Sequence, residues 1–129
     1  MTDLRQNPRI PEKAEISVRI ETAPEMKNLE GRVFTSNSVD ISLGGLQMLV
    51  EFPVPVGAAL ELKVTFHDSA KTYRHKGMVI WDDELDPRGT QPPMHKVGVQ
   101  FNTLDNPQFF AWRAAVSELL DKNPDIGAA

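Results

Sequence analysis

The sequence predicts a mainly β domain in which six or so short strands build a barrel or sandwich, closed by one C-terminal helix. Two segments alternate apolar and polar residues with a period of 2, the signature of a strand with one buried face. Four shorter apolar runs lie between turn-forming residues. One stretch near the end spaces its apolar residues by three and four, as a helix does.

The first alternating segment is Ala14–Glu21, where Ile16, Val18 and Ile20 are separated by Ser17, Arg19 and Glu21. The second is Leu60–Phe66, with Leu60, Leu62, Val64 and Phe66 on one face and Glu61, Lys63 and Thr65 on the other. Arg32–Thr35, Leu46–Phe52, Gly77–Trp81 and Val97–Phe101 are the shorter runs, bounded by Asn28, Gly31, Gly44, Gly45, Pro53, Pro55 and Gly57. Asp82–His95, with Pro87, Gly89, Pro92 and Pro93, reads as a surface excursion between strands. For the helix, Asn106 is the expected N-cap and Pro107 the first helical residue. Phe109, Trp112, Val116 and Leu119 supply its buried stripe, and Asn123-Pro124 stops it. Phe110 and Leu120 are expected at the edge of that stripe, in preference to an exposed contact surface.

The chain has 129 residues and 14.4 kDa, one domain's worth, with 40% hydrophobic residues and a mean hydropathy of −0.33. There is no cysteine, which excludes disulfides, thiolate metal sites and a thiol nucleophile. No apolar run approaches the roughly 20 residues that span a bilayer. The start, MTDLRQNPRIPEK, is charged where a secretory signal is apolar, so a cytoplasmic protein without membrane insertion is expected. With 14 basic against 18 acidic residues the net charge is −4. That balance opposes nonspecific binding to DNA or RNA polymers, whose affinity grows with the number of phosphates neutralised. It still allows a small anion held by a few local arginines.

Two short elements carry candidate chemistry. Arg5-Gln6-Asn7-Pro8-Arg9 sets two arginines four apart in a segment kept non-helical by Pro8 and Pro11. A guanidinium binds phosphate bidentately and stacks on aromatic planes, guanine included. Asp40-Ile41-Ser42-Leu43-Gly44-Gly45 places a carboxylate and a hydroxyl two apart on one side of a strand end. The carboxylate can accept from the N1–H and N2–H2 of guanine, and the glycines are expected to permit positive φ and close approach of a ligand. Alternatively this segment is an Asx or Ser turn in a glycine-assisted hairpin.

Other features are expected to be structural. His67, His75 and His95 are scattered and read as surface or turn residues, while Asp82, Asp83, Glu84 and Asp86 read as a solvated loop. Ser42 lacks a GxSxG elbow, and no phosphate-binding glycine loop occurs, so no enzyme is expected. Trp81, Trp112, Phe34, Phe66 and Phe101 are expected in the core rather than in a base-stacking platform.

In this order, the two elements resemble the signature of the PilZ domain family, RxxxR followed by [D/N]xSxxG. Arg5 and Arg9 match the first half; Asp40, Ser42 and Gly45 match the second. Lys96–Phe101 and the closing helix resemble later elements of the family. The resemblance implies a six-stranded antiparallel split β-barrel with a C-terminal helix that binds cyclic di-GMP. It implies that the arginines wrap the ligand, Asp40 and Ser42 read a guanine edge, and Gly45 shapes the turn. Leu4, where some members carry a further arginine, goes with one ligand per domain. A single domain over residues 1–129 is expected, with a flexible arm at 1–12, barrel at 13–105, helix at 106–123 and tail at 124–129. Occupancy would pass to an unidentified effector protein as the arm orders, with no cofactor beyond the ligand. The alternative is a PilZ-like adaptor that acts without ligand through protein contacts alone.

Overall fold

The structure is a computed structural model that describes residues 9–67, 69–85 and 94–122. The two alternating segments become β1 (Glu15–Thr22) and β4 (Ala59–Thr65), and the shorter runs become β2 (Val33–Ser42), β3 (Gly45–Val50), β5 (Thr72–Leu85) and β6 (Met94–Phe101). Each pairs antiparallel with its neighbours in the order β1-β2-β3-β6-β5-β4, and β4 returns to β1 to close the barrel. This is the expected six-stranded antiparallel barrel, and a closed sheet leaves no open edge for another chain to extend. Inside it lie the alternating residues that the sequence nominates, among them Ile16, Val18, Ile20, Leu60, Leu62 and Val64.

One end of the barrel is plugged by α1 (Phe109–Lys122), whose Trp112, Val116 and Leu119 are buried. The regular helix begins at Phe109, two residues after the expected Pro107, with a turn at 107–108 leading into it. Asn106 Oδ1 accepts from the Gln108 N–H at 2.8 Å, the hydrogen bond of an N-cap followed by proline. Trp112, fully buried, stacks on Phe66 at 5.6 Å and meets Tyr73, His75 and Phe101 edge-on. Replacing such a side chain by alanine costs about 3–5 kcal/mol, so Trp112 holds the helix to the barrel.

Several expectations change. β5 runs on to Leu85, so Asp82, Asp83 and Glu84 belong to a strand opposite Val97, Lys96 and His95, not to a loop. The register slips between Val79 and Trp81, and a single extra residue reverses which face the following side chains occupy. Val79 therefore points into the core, Trp81 lies on the outer surface against Gly98, and Asp82 returns to the barrel end. There the Asp82 carboxylate accepts from the Val54 N–H at 2.8 Å and pairs with His95 Nδ1 at 2.7 Å. His75 and His95 are both buried rather than on the surface. Phe34 is only partly buried, in edge contact with Phe52. Leu120 sits at the edge of the helix stripe as expected, but Phe110 is 79% exposed and outside it. Asp86, Pro87, Gly89, Pro92, Pro93, Asn123 and Pro124 lie outside the described residues.

Candidate functional site

The candidate site is built where the chain enters the barrel. Ile10 forms a two-bond antiparallel bridge with Ile41, its N–H to the Ile41 carbonyl at 2.8 Å and the reverse bond at 2.9 Å. Its side chain is 1% exposed. Two residues later Ser38 secures the same segment, accepting from the Ala14 N–H at 2.8 Å and donating to the Glu12 carbonyl. Within the stretch expected as a flexible arm, the residues from Ile10 onward are thus fixed to β2. Arg9 immediately precedes this anchor, and Arg5 and Leu4 lie outside the described residues.

A bulge orients the opposing side chains. The β2–β3 register slips between Ser38 and Asp40, leaving Val39 as the extra residue. Ser36 and Ser38 face inward before it, whereas after it Ile41 takes the inward position and Asp40 and Ser42 share the outer side. Without the slip Asp40 would fall on the core face with Ser38. Because the Ile10 bridge puts Arg9 on the same outer side, Arg9 Nη1 reaches Asp40 Oδ1 at 2.8 Å across 31 residues of sequence. The two halves of the sequence signature therefore meet in one ion pair, with side-chain exposures of 28% and 18%.

Ser42 and Gly45 are the last pair before the β2–β3 turn. The Ser42 hydroxyl is buried and donates to the Gly45 carbonyl at 3.3 Å, so it closes the hairpin instead of joining Arg9 and Asp40. Gly45 corrects an expectation, since neither it nor Gly44 adopts positive φ. A Cβ at Gly45 would stand 2.2 Å from the Val99 carbonyl oxygen, so glycine is required by the close approach of β6. The turn itself is held from two sides. Trp112 Nε1 donates to the Leu43 carbonyl at 3.0 Å, and the Phe101 N–H donates to the Gly44 carbonyl at 2.8 Å.

Sequence reasoning missed Trp81. Asp40 pairs with Gln47, Gln47 with Gly98 and Gly98 with Trp81, so the four form one cross-strand row on the outer face. At about 4.8 Å per strand, Trp81 lies within about 15 Å of Asp40. Its indole rests directly on Gly98, where a Cβ would come within 2.3 Å of the ring. The available signal was Gly98 itself, an isolated glycine in a strand pattern, which marks a close approach. Among the described residues no group of three or more His, Asp or Glu side chains gathers as a metal site, and no helix is long and apolar enough to cross a membrane.

A sequence model of the family described as PilZ domain matches residues 3–121. Among solved structures the chain is similar to the PilZ domain of YcgR from Escherichia coli with c-di-GMP, at 14% identity and TM-score 0.63, covering 95% of this chain and 96% of that one. It is also similar to the Bacillus subtilis inhibitor of motility MotI/DgrA, at 14% identity and TM-score 0.68, covering 96% of this chain and 53% of that one. The MrkH–c-di-GMP complex of K. pneumonia gives 16% identity and TM-score 0.66, covering 97% and 55%. The chain thus spans about half the length of the last two proteins. No curated protein matches it.

Proposed function

Since the chain belongs to the PilZ domain family, we propose that it is a bacterial receptor for cyclic di-GMP that signals by binding, without catalysis. The observation that carries this reading is the Arg9–Asp40 ion pair, which joins the halves of the signature on the outer face of the barrel. Its chemistry suits exchange. Arg9 and Asp40 are already desolvated in part and serve as each other's partner, and a partly exposed pair of this kind contributes only about 0–1 kcal/mol. Cyclic di-GMP offers both groups a better partner at once, a phosphate for the guanidinium and the guanine N1–H and N2–H2 for the carboxylate. Arg5 would add the second guanidinium, the Ser42 hydroxyl would contribute beside Asp40, and Gly45 would keep the turn close to β6. Trp81 offers an aromatic plane in the same outer row, suited to stack on a base.

In this reading occupancy is relayed by the N-terminal arm, which orders on the ligand ahead of the Ile10 anchor and presents a new surface to an effector protein in the cytoplasm. Isothermal titration calorimetry with cyclic di-GMP, and with GMP as control, tests it. Selective, saturable binding is expected, with a stoichiometry of one. Arg9→Ala and Asp40→Ala should each weaken it by about 1.5–3 kcal/mol, the loss of a charge-assisted hydrogen bond. Unchanged affinity in both variants rejects the site. The absence of any binding rejects the receptor and leaves the ligand-independent adaptor.

A further inference from the structure

The barrel carries a second polar surface on its other side. Two cross-strand rows on β1, β4 and β5 run Ser17–Lys63–Arg74 and Arg19–Glu61–Lys76. All six side chains line a cavity of about 420 Å³, walled on the far side by the segment 102–108 that leads into α1. That wall is fastened to β5 just beyond its last pair with β6, Gly77 and Phe101. The Asn102 N–H donates to the Lys76 carbonyl at 2.7 Å, and the Arg74 N–H donates to Gln108 Oε1 at 2.7 Å.

Charge is the unusual feature. Lys63 and Arg74 stand directly opposite each other, an arrangement that destabilises a sheet unless something neutralises it. Glu61 is taken by Arg19 at 3.3 Å, and Lys63, Arg74 and Lys76 have no ion pair among the described residues. The cavity thus gathers four basic side chains against two carboxylates, Glu61 and Asp105, in a chain whose net charge is −4. Leu104, within the segment that walls the groove, and Phe110, two residues past it, are 94% and 79% exposed.

From this juxtaposition we propose that the groove between the β1–β4–β5 face and segment 102–108 docks an acidic, apolar-bearing segment of a partner protein. Charge complementarity selects an anionic partner. The form of the site selects a peptide over a small ion, because the cations are exposed and spread over two rows instead of converging on one buried point. Exposed pairs of this kind hold weakly one by one and act together along an extended surface. Leu104 and Phe110 supply the apolar contacts that such a segment would cover. The inference names the partner chemistry for the proposed relay and rests on that reading only for when the partner binds; the charge of the groove is present with or without cyclic di-GMP.

The test uses the full chain, 15N-labelled, and a fluorescein-labelled 14-residue peptide carrying six Asp or Glu with two Leu and one Phe. Controls are the same peptide with Lys for every acid, and inorganic pyrophosphate. The acidic peptide should shift amide signals of Ser17, Arg19, Lys63, Arg74, Lys76 and segment 102–108, and should bind less tightly as salt rises. The double variant Lys63→Glu/Lys76→Glu, whose side chains are exposed, should fold with unchanged chemical shifts elsewhere and lose at least about tenfold in affinity. Arg9→Ala should leave peptide binding as it is, so a failure of cyclic di-GMP binding is distinguishable from a failure of the groove. Equal binding of the basic peptide, shifts confined to the Arg9–Asp40 region, no saturable binding, or unchanged affinity in the double variant overturns the proposal. Displacement of the peptide by pyrophosphate with the same shifts overturns it in favour of a small-anion site.

Discussion

Acid should loosen this protein through His75. The imidazole is 3% exposed, stacked on Phe101 at 3.9 Å and edge-on to Trp112 at 4.4 Å. Burial lowers its pKa from 6.5 to about 4. Its hydrogen bonding acts in the same direction. Asn106 Oδ1 is occupied by the Gln108 N–H, so Asn106 presents its Nδ2 to His75 Nδ1 at 3.0 Å, and that nitrogen must be the acceptor. Nε2 then carries the proton and has no partner among the described residues. A second proton on Nδ1 would face an N–H group and push Asn106 off the start of α1. The folded state therefore binds fewer protons than the unfolded one between pH 6.5 and about 4. Stability is fully present above pH 6.5 and is lost as pH falls through that window. The His75 share of the loss amounts to about 2–3 kcal/mol by pH 4.5. Urea unfolding of wild type and His75→Phe at half-unit steps from pH 7 to 4.5 measures it. The variant keeps a ring against Phe101 and cannot titrate, so the difference between the two curves isolates His75 from the carboxylates. A difference that stays flat across the range refutes the neutral, acceptor-Nδ1 imidazole.

Three further outcomes are expected. Gly45→Ala would drive a Cβ into the Val99 carbonyl 2.2 Å away, and chemical denaturation should record a loss of at least about 2 kcal/mol even though no positive φ is involved. Trp112→Phe keeps an aromatic plug but forfeits the hydrogen bond to Leu43 at 3.0 Å; a stability loss of about 1–3 kcal/mol should come with NMR shifts at Leu43 and Gly44. Gly98→Ala should lift the Trp81 indole off the sheet, seen as red-shifted tryptophan fluorescence, and weaken cyclic di-GMP if Trp81 stacks on a base.

Residues with uninterrupted periodicity were the legible ones. Ile16, Val18 and Ile20 in β1 and Leu60, Leu62 and Val64 in β4 announce their strand and its inward face, and Asn106-Pro107 announces the helix start. Legibility stops at the bulges. An extra residue at Val39 turns Asp40 outward, and a slip after Val79 carries Trp81 from the expected core to the surface, and neither slip is written in hydrophobicity. The His75 error was avoidable, since Tyr73, His75, Gly77 and Val79 alternate with Arg74, Lys76 and Met78, and the period puts His75 inside. At the site, the pairing of Arg9 with Asp40 was legible only as a two-part signature, because the contact spans 31 residues and depends on the Ile10 bridge. The groove was not legible at all: its cations come from three strands and only the barrel register gathers them.

The hydrogen bond from Trp112 to Leu43 joins residues 69 apart and gives the fold a chronology. As the chain leaves the ribosome, all six strands emerge before the helix that covers Phe66, Tyr73 and Phe101. Until residue 112 has emerged and docked, the β2–β3 turn lacks its indole donor and the barrel mouth presents bare aromatic rings. Closure between β1 and β4 is likewise a non-local pairing, of the kind that folds slowly. The nascent barrel is thus most exposed to aggregation just before its final turns of helix arrive, and a chain stalled or cleaved between Phe101 and Trp112 would be a client for chaperones rather than a working domain.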